Sequence, residues 1–510
     1  MRSAGVLLPV SALPSPYGIG TLGREARAFV DFLAAAGQSC WQLLPIGPTG
    51  FGDSPYQSFS TFAGNPYYID LDDLAAEGLL SPEEYRDIPW GDDPSAVDYA
   101  LLYQNRFPVL RAACDRLPDR HPELVRFCAA QGDWLEDYAL FMSLKGHFGG
   151  RPWQEWPEAL RLRTPAGLRR ARRELAPDVT FWRKVQYLFF RQWSALKSYA
   201  NGRGIRLFGD LPIYVAVDSA DLWAHPEQFQ LDQAGRPTEV AGCPPDGFTA
   251  DGQLWGNPLF RWDRMREEGY AWWLRRIAFQ FTIFDTLRID HFRGFESYYA
   301  IPYGEPTARN GRWRPGPGPD FFRAVERALG PRDIVAEDLG FLTPAVRRLL
   351  RDTGYPGMKV LQFAFGDRER GSDYLPHCYP AHCVAYTGTH DNDTVQGWMA
   401  SAPRREVAFA REYLRLSRRE GYHWGMMRSI WASPAGLAVV QLQDLLGLDS
   451  RARMNTPSTL GENWRWRALP NSYGPKLARR LHREMKVYQR LPGQHPAPSD
   501  QEGDDDHATE

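Results

Sequence analysis

Residues 286–294 read TLRIDHFRG, and the expected fold is built outward from this stretch. Side chains alternate between the two faces of a strand, so Arg288 and Asp290 share one face while Leu287 and Ile289 occupy the other. A cation beside a carboxylate favours the ionised carboxylate, which is the form that a nucleophile needs. A structural ion pair would leave the same pattern, so this stretch alone leaves both interpretations open.

Seven further apolar runs accompany this one, and helix-like sequence separates most of them. Eight such runs predict an α/β fold, a (β/α)₈ TIM barrel of parallel strands with both faces covered. Local signals support the helices: Thr343 is placed to cap a helix that starts with Pro344 and ends at Gly354. The predicted strands are 5–10, 40–46, 205–213, 286–292, 334–339, 358–365, 383–387 and 439–445.

Long connections divide the predicted barrel. We expect the catalytic barrel to use residues 1–46 and 205–490, with a mostly helical insertion at 47–204 between the second and third strands. A second, irregular insertion at 214–262 contains a stretch rich in Gly and Pro, 242–258, that suits a lid over the carboxyl-terminal mouth. Residues 491–510, first rich in Pro and then acidic, predict a disordered tail.

The composition limits the possible partners. Sixty Lys and Arg balance 62 Asp and Glu, giving a net charge of −2 without a basic block, so nucleic acid is not expected as a partner. The six cysteines form no CxxC pair, which argues against a zinc site and a disulfide framework. No signal peptide and no apolar run of about 20 residues is evident, so we expect a cytoplasmic protein without membrane contact.

Aromatic residues make up 13% of the chain. Several tryptophans lie in sequence rich in Gly and Pro, where flat rings commonly line ligand sites. These are Trp90, Trp153, Trp156, Trp255 and Trp313.

Polar residues cluster where the predicted strands end, and in a barrel that end carries catalysis. They are Asp210, Arg288, Asp290, Glu337, Asp338, His390, Asp391 and Asp393. Several carboxylates around one mouth raise each other's pKa, because like charges disfavour ionisation in a partly desolvated site. That arrangement suits glycoside chemistry, in which one carboxyl group is protonated as an acid and another is ionised as a nucleophile.

Other chemistries fit less well. A barrel metal hydrolase could use His291, His390 and the aspartates, but the first strand lacks a His pair, so we expect no metal. The Ser and Cys residues have no obvious base, and no Gly-rich phosphate loop is present. Taken alone, His390 fits a structural histidine and Trp255 fits a packing residue.

Several motifs resemble those of one enzyme family. They are LRIDHF at 287–292, AEDLG at 336–340, THDN at 389–392, GDSPYQS at 52–58, GDLPIY at 209–214, PD at 245–246, WGNP at 255–258, RMNTP at 453–457 and NW at 463–464. The first three resemble the strand ends of α-amylase-type glycosidases. Together the motifs resemble the amylomaltases, the 4-α-glucanotransferases of glycoside hydrolase family 77, from the first strand to about residue 491.

This resemblance implies a role for each matching residue. Asp290 would be the nucleophile, held ionised by Arg288, and Glu337 would be the general acid and base. Asp391 and His390 would bind sugar hydroxyls and distort the ring. The other implied substrate contacts are Asp210, Tyr56, Gln253, Trp255 and Asn463, with Trp255 and its loop shielding the intermediate.

The resemblance also implies the reaction and its partners. The substrates would be maltooligosaccharides and α-1,4-glucans, handled by a monomer or small homo-oligomer without a cofactor. A retaining double displacement requires the carboxyl groups of Asp290 and Glu337 to lie about 5–5.5 Å apart. A retaining α-glucan hydrolase using the same residues, or an inactive glucan-binding scaffold, remains an alternative.

Overall fold

The computed structural model describes residues 2–50, 52–245, 250–340, 342–366 and 372–493. Most of the tail predicted at 491–510, and Asp246 of the PD motif, lie outside the described residues. Within the described ranges, no helix combines the length and the apolar character needed to cross a membrane.

The described residues form twelve strands and eighteen α-helices. The strands are β1 (Ser3–Leu7), β2 (Cys40–Gln42), β3 (Arg206–Leu211), β4 (Glu239–Cys243), β5 (Gln253–Pro258), β6 (Thr286–Ile289), β7 (Ser297–Pro302), β8 (Arg312–Pro315), β9 (Ile334–Ala336), β10 (Gly357–Val360), β11 (Cys383–Tyr386) and β12 (Leu437–Gln441). The helices are α1 (Arg24–Ala35), α2 (Leu71–Ala76), α3 (Tyr99–Arg116), α4 (Pro122–Ala130), α5 (Gly132–His147), α6 (Glu158–Arg161), α7 (Pro165–Glu174), α8 (Ala176–Gly202), α9 (Ala220–Ala224), α10 (Trp262–Glu267), α11 (Ala271–Ile283), α12 (Pro319–Leu329), α13 (Pro344–Thr353), α14 (Val395–Ser401), α15 (Arg404–Tyr413), α16 (Tyr422–Ala432), α17 (Leu442–Leu446) and α18 (Pro475–Val487).

Eight strands form one parallel sheet in the order β10-β11-β12-β1-β2-β3-β6-β9. Side chains from seven of them pack into a separate apolar cluster that fills the space inside the sheet. Helices cover the outside. The predicted (β/α)₈ barrel is therefore confirmed.

A side chain helps to close the barrel between β9 and β10. The Ala336 amide donates to the Pro356 carbonyl oxygen at 3.0 Å, and the Met358 amide donates to Asp338 Oδ1 at 2.6 Å. Gly357 permits this approach, because a Cβ at that position would lie 2.5 Å from Asp338 Oδ2. Asp338, predicted as a polar residue of the mouth, thus joins two strands.

All eight predicted barrel strands are present, but several are shorter than expected. The run 358–365 is a strand only to Val360, and its remainder is the 3₁₀ helix Leu361–Phe365. The run 439–445 likewise passes from β12 into α17. Periodicity does not distinguish a short buried strand from a short buried helix, which explains both differences.

Helices α2 to α8 lie between β2 and β3, the part of the chain where a helical insertion was predicted. The last part of α8 also packs against helices of the barrel. Tyr199 Oη donates to Asp31 Oδ1 of α1 at 2.8 Å, and Trp193 Nε1 donates to the Ile283 carbonyl oxygen of α11 at 3.0 Å. The end of α8 therefore contributes to the barrel wall as well.

A second sheet, antiparallel and ordered β5-β4-β7-β8, occupies sequence for which no strands were predicted. The segment 242–258, expected to be irregular, contains the end of β4 and all of β5. The Gly and Pro content of this segment favours a loop, but a Cβ at Gly242 would lie 2.2 Å from the Gln253 carbonyl oxygen. The glycine thus serves the close approach of two strands.

Candidate active site

The end of β6 places Arg288 and Asp290 side by side, as the alternation of the strand predicted. Arg288 is buried, and its Nη2 lies 2.8 Å from Asp290 Oδ1. The Asp290 amide donates to the Leu211 carbonyl oxygen of β3 at 3.0 Å, which fixes the backbone just beyond the strand. The predicted pairing of cation and carboxylate is confirmed.

Arg288 also binds a second carboxylate, that of Asp210. Its Nη1 donates to Asp210 Oδ1 at 2.6 Å, and Tyr56 Oη donates to Asp210 Oδ2 at 2.6 Å. The Asp210 side chain has an exposure of 0%, and its carboxylate supports both Arg288 and Tyr56. The substrate contact expected for Asp210 stays a prediction.

Glu337 follows β9 and is held by backbone groups. Its Oε2 accepts from the His291 amide at 2.8 Å, and its Oε1 accepts from the Leu339 amide at 2.7 Å. Burial and, to a smaller extent, the negative charge of Asp290 raise the pKa of Glu337 to about 7, against the opposing effect of Arg288. Glu337 therefore retains a proton near neutral pH.

Asp290, like Glu337, is half-buried but has a different partner. Burial raises its pKa above the ordinary value, while the positive charge of Arg288 opposes that shift. The charges of Asp210, Asp391 and His390 also act on the Asp290 carboxyl group. Residues from four strand ends thus meet in one site.

His291 follows Asp290 in the chain, binds Glu337 through its amide and contacts the second sheet through its ring. It has left-handed backbone angles (φ 49°), which direct its amide at Glu337. Burial lowers the pKa of its imidazole to about 3, so the ring is neutral. The ring meets Trp255 of β5 edge to face, with centroids 4.7 Å apart, and Trp255 Nε1 donates to Gln253 Oε1 at 3.0 Å.

His390 and Asp391 form another corner of the site. The ring of His390 stacks on Tyr56 with centroids 5.2 Å apart, and its Nε2 lies 3.3 Å from Asp391 Oδ1. Asn455 Nδ2 donates to the same Asp391 oxygen at 2.6 Å. The sequence placed Asn455 in a motif but assigned it no role. The sequence signal that could have indicated a role for Asn455 was its amide side chain in a loop after the last barrel strand.

Asn463 uses its amide group within its own loop. Its Oδ1 accepts from the Thr456 amide at 2.9 Å, and its Nδ2 donates to the Thr459 carbonyl oxygen at 2.9 Å. The adjacent Trp464, also without an assigned role, is buried with its ring centroid 5.9 Å from those of Tyr56 and His390. Asn463 thus shapes the loop that carries Trp464 to the site.

Eight parallel strands with acidic groups gathered at their carboxyl ends define a (β/α)₈-barrel enzyme. The family model of glycoside hydrolase family 77, described as 4-alpha-glucanotransferase, matches residues 8–471. The chain belongs to this family of 4-alpha-glucanotransferases.

Individual relatives support this assignment over nearly the whole chain. The chain is similar to a 4-alpha-glucanotransferase of Thermus thermophilus, with 49% identity over 502 residues, covering 96% of this chain and 99% of the relative. It is 46% identical to one from Clostridium butyricum, covering 94% and 99%. Among solved structures, the amylomaltase of Streptococcus agalactiae in complex with acarbose aligns with a TM-score of 0.94 and 41% identity, covering 96% and 100%.

Proposed function

We propose that this enzyme moves α-1,4-glucan segments between maltooligosaccharides by a retaining double displacement. The proposal rests mainly on the contrast between Glu337 and Asp290. Backbone amides hold Glu337 and burial keeps it protonated near neutral pH, whereas Asp290 contacts the guanidinium of Arg288 directly. Two carboxyl groups with divided acid and nucleophile roles are what glycoside chemistry requires.

In the first displacement, the Asp290 carboxylate attacks the anomeric carbon of the donor glucan. The bond to the glycosidic oxygen breaks, and Glu337 gives its proton to that oxygen as the chain leaves. The product is a β-glycosyl ester on Asp290. We expect the two carboxyl groups to lie about 5–5.5 Å apart, as this mechanism requires.

In the second displacement, Glu337 is ionised and accepts the proton of an incoming sugar hydroxyl. That oxygen attacks the anomeric carbon, the ester bond breaks, and Asp290 is released as a carboxylate. Two inversions restore the α configuration. Glu337 is protonated again for the next cycle.

The surrounding residues would assist both steps. We assign Asp391 and His390 to the sugar hydroxyls, because Asp391 is the partly exposed carboxylate of the cluster around Asp290 and the buried His390 ring lies 3.3 Å from it. Arg288 stabilises the charge of Asp290, and Tyr56 stacks on His390. Asp210, buried beneath them, acts by holding Arg288 and Tyr56 in place.

Transfer requires that water reach the ester less readily than a sugar does. We assign this shielding to Trp255 with Gln253 on one side, and to the loop of Asn463 with Trp464 on the other. The segments 47–204 and 214–262 would frame the same mouth as insertions into the barrel of 1–46 and 205–490.

The ligand and the setting follow from the same family. A structure of a relative contains acarbose, which supports a glucan-like ligand here. All six cysteines are free thiols, which supports a reducing, cytoplasmic location. We propose that the enzyme acts as a monomer or small homo-oligomer, without nucleic acid or membrane partners.

Incubation with maltotriose tests the proposed reaction. A transferase converts it into glucose and chains longer than maltotriose from the earliest times. A hydrolase would leave mainly glucose and maltose, and that result would overturn the proposal. The matched variant Asp290→Asn should bind maltotriose without turning it over; unchanged turnover would overturn the role of Asp290.

A further inference from the structure

Trp313 differs from the other tryptophans of the chain in its exposure. All eighteen lie in the described residues, and Trp313 is the single one with more than a third of its surface exposed, at 42%. Of the other loop tryptophans expected to line a ligand site, Trp90, Trp153 and Trp156 are buried, and Trp255 is half-buried. Tryptophan is usually highly buried, so an open indole at this place requires a reason.

The indole of Trp313 is held in a fixed orientation. The guanidinium carbon of Arg293 lies 3.9 Å from the ring centroid, over one face. Tyr299, its cross-strand partner on β7, meets it edge to face with centroids 5.2 Å apart. One covered face and one open face match the exposed fraction of 42%. The ring is therefore a preorganised flat surface.

This surface lies close to the reacting groups. Arg293 belongs to the short turn Phe292–Phe295 and is three residues beyond Asp290. His291, at the start of that turn, packs on Trp255, so both tryptophans contact side chains of the segment that follows Asp290. Three residues of chain and one extended side chain span on the order of 15 Å. A short oligosaccharide is long enough to bridge that distance.

The edge of the sheet disfavours a protein partner. β8 is an edge strand of the second sheet, and Arg312 and Arg314 flank Trp313 and pair with Glu239. Pro315 ends the strand. Charged residues and proline at an edge oppose the addition of another strand. A sugar ring, in contrast, needs only the open face of the indole, on which its C–H face can stack.

We propose that Trp313 is a stacking platform for a glucosyl residue of the α-1,4-glucan, several units away from the bond that is transferred. The inference rests on the proposed function, because it takes the glucan site around Asp290 as given. Long substrates reach Trp313 and short ones do not. The contribution of Trp313 to kcat/KM therefore depends on the length of the glucan substrate.

The test compares kcat/KM for maltoheptaose with kcat/KM for maltotriose. For Trp313→Ala we expect the ratio of the two to fall about fivefold, the size of a single aromatic stacking contact. Trp313→Tyr keeps a flat ring and should recover most of the ratio, whereas Trp313→Leu keeps apolar bulk and should not. Tyr303→Ala, a change at an exposed aromatic residue just beyond β7, is the matched control and should leave the ratio as it is.

An unchanged ratio in both Trp313→Ala and Trp313→Leu would overturn the platform. So would an equal fall in Tyr303→Ala. Glucose and longer products from maltotriose in the unmodified enzyme test the proposed function separately, so either idea can fail without the other. A poorly folded Trp313→Ala protein would leave Trp313→Leu and Trp313→Tyr to decide.

Discussion

At the scale of single residues, Glu337 and Asp290 show how surroundings divide the roles of two similar groups. Both are half-buried near Arg288, and desolvation raises both pKa values. Only Asp290 makes an ion pair with the guanidinium at 2.8 Å, whereas Glu337 accepts from two backbone amides. The difference in partners supports one acid and one nucleophile.

The dependence of kcat/KM on pH should follow from this division. As pH rises through about 7, Glu337 loses the proton that a general acid must give, so kcat/KM for maltotriose should fall. As pH falls through the raised pKa of Asp290, the nucleophile is neutralised and kcat/KM should fall again. The leaving group of α-maltosyl fluoride needs no proton. The rate of fluoride release should therefore fall much less at alkaline pH than kcat/KM for maltotriose does. A profile for maltotriose that stays flat through neutral pH would contradict the role of Glu337.

Asn455 provides a second prediction at this scale. Its Nδ2 donates at 2.6 Å to Asp391, and the Arg453 guanidinium donates to the Asp391 carbonyl oxygen at 2.7 Å. Asn455→Ala removes a hydrogen bond to a charged group, so we expect kcat on maltotriose to fall roughly tenfold or more, with a smaller change in KM. A wild-type kcat in Asn455→Ala would show that Asp391 needs no such support. The melting temperature provides the check on folding.

The sequence predicted the site contacts between residues that are close in the chain, but not those between residues that are far apart. Arg288 and Asp290 are two residues apart on one strand, so alternation alone placed them together. The support of Asp210 for Tyr56 and of Asn455 for Asp391 joins residues 154 and 64 positions apart. No local pattern encodes such contacts, and they required the folded chain.

At the scale of elements, the barrel strands were predicted and the second sheet was not. Barrel strands are buried on both faces and leave continuous apolar runs. The strands β5 and β8 are partly exposed, and between them they carry Gly, Pro and Arg. Such sequences lack the apolar alternation that reveals a strand, so pairing partners decide their structure.

Asp338 allows a test of barrel closure. Asp338→Ala leaves the Met358 amide without its acceptor between β9 and β10, which should lower the free energy of unfolding by about 1–3 kcal/mol. Asp338→Asn keeps an oxygen at the same place and should lower the free energy of unfolding by less. Denaturant unfolding of the two variants measures the difference. An equal loss in both would show that the side-chain oxygen does not contribute to closure.

At the scale of the whole molecule, the C-terminal segment joins the first strand to the last. Arg490 is fully buried, and its guanidinium donates to Ser3, Trp431 and Ala435 carbonyl oxygens at 2.8–2.9 Å. Ser3 and Arg490, which are 487 positions apart in the sequence, are thereby connected at the end of the barrel where β1 begins. The site at the opposite, carboxyl-terminal end depends on a barrel that is closed in this way.

Replacement of Arg490 should destabilise the entire fold. Arg490→Met removes the hydrogen bonds that the guanidinium donates to several buried carbonyl oxygens, so we expect a loss on the order of 3–5 kcal/mol in the free energy of unfolding. Arg479→Met on the exposed side of α18 is the matched control and should change stability by less than about 0.5 kcal/mol. Similar melting temperatures for the two variants would contradict the role of Arg490.

The covalent intermediate provides the most direct test of the proposed transfer. Glu337→Gln supplied with α-maltosyl fluoride can form the ester, because fluoride leaves without a proton, but it lacks the base that completes the transfer. Mass spectrometry of proteolytic peptides from the quenched protein should therefore find the maltosyl group on Asp290, and no label when Asp290→Asn is added. A maltosyl group on any other residue, or a label that persists in the Asp290→Asn variant, would contradict the mechanism.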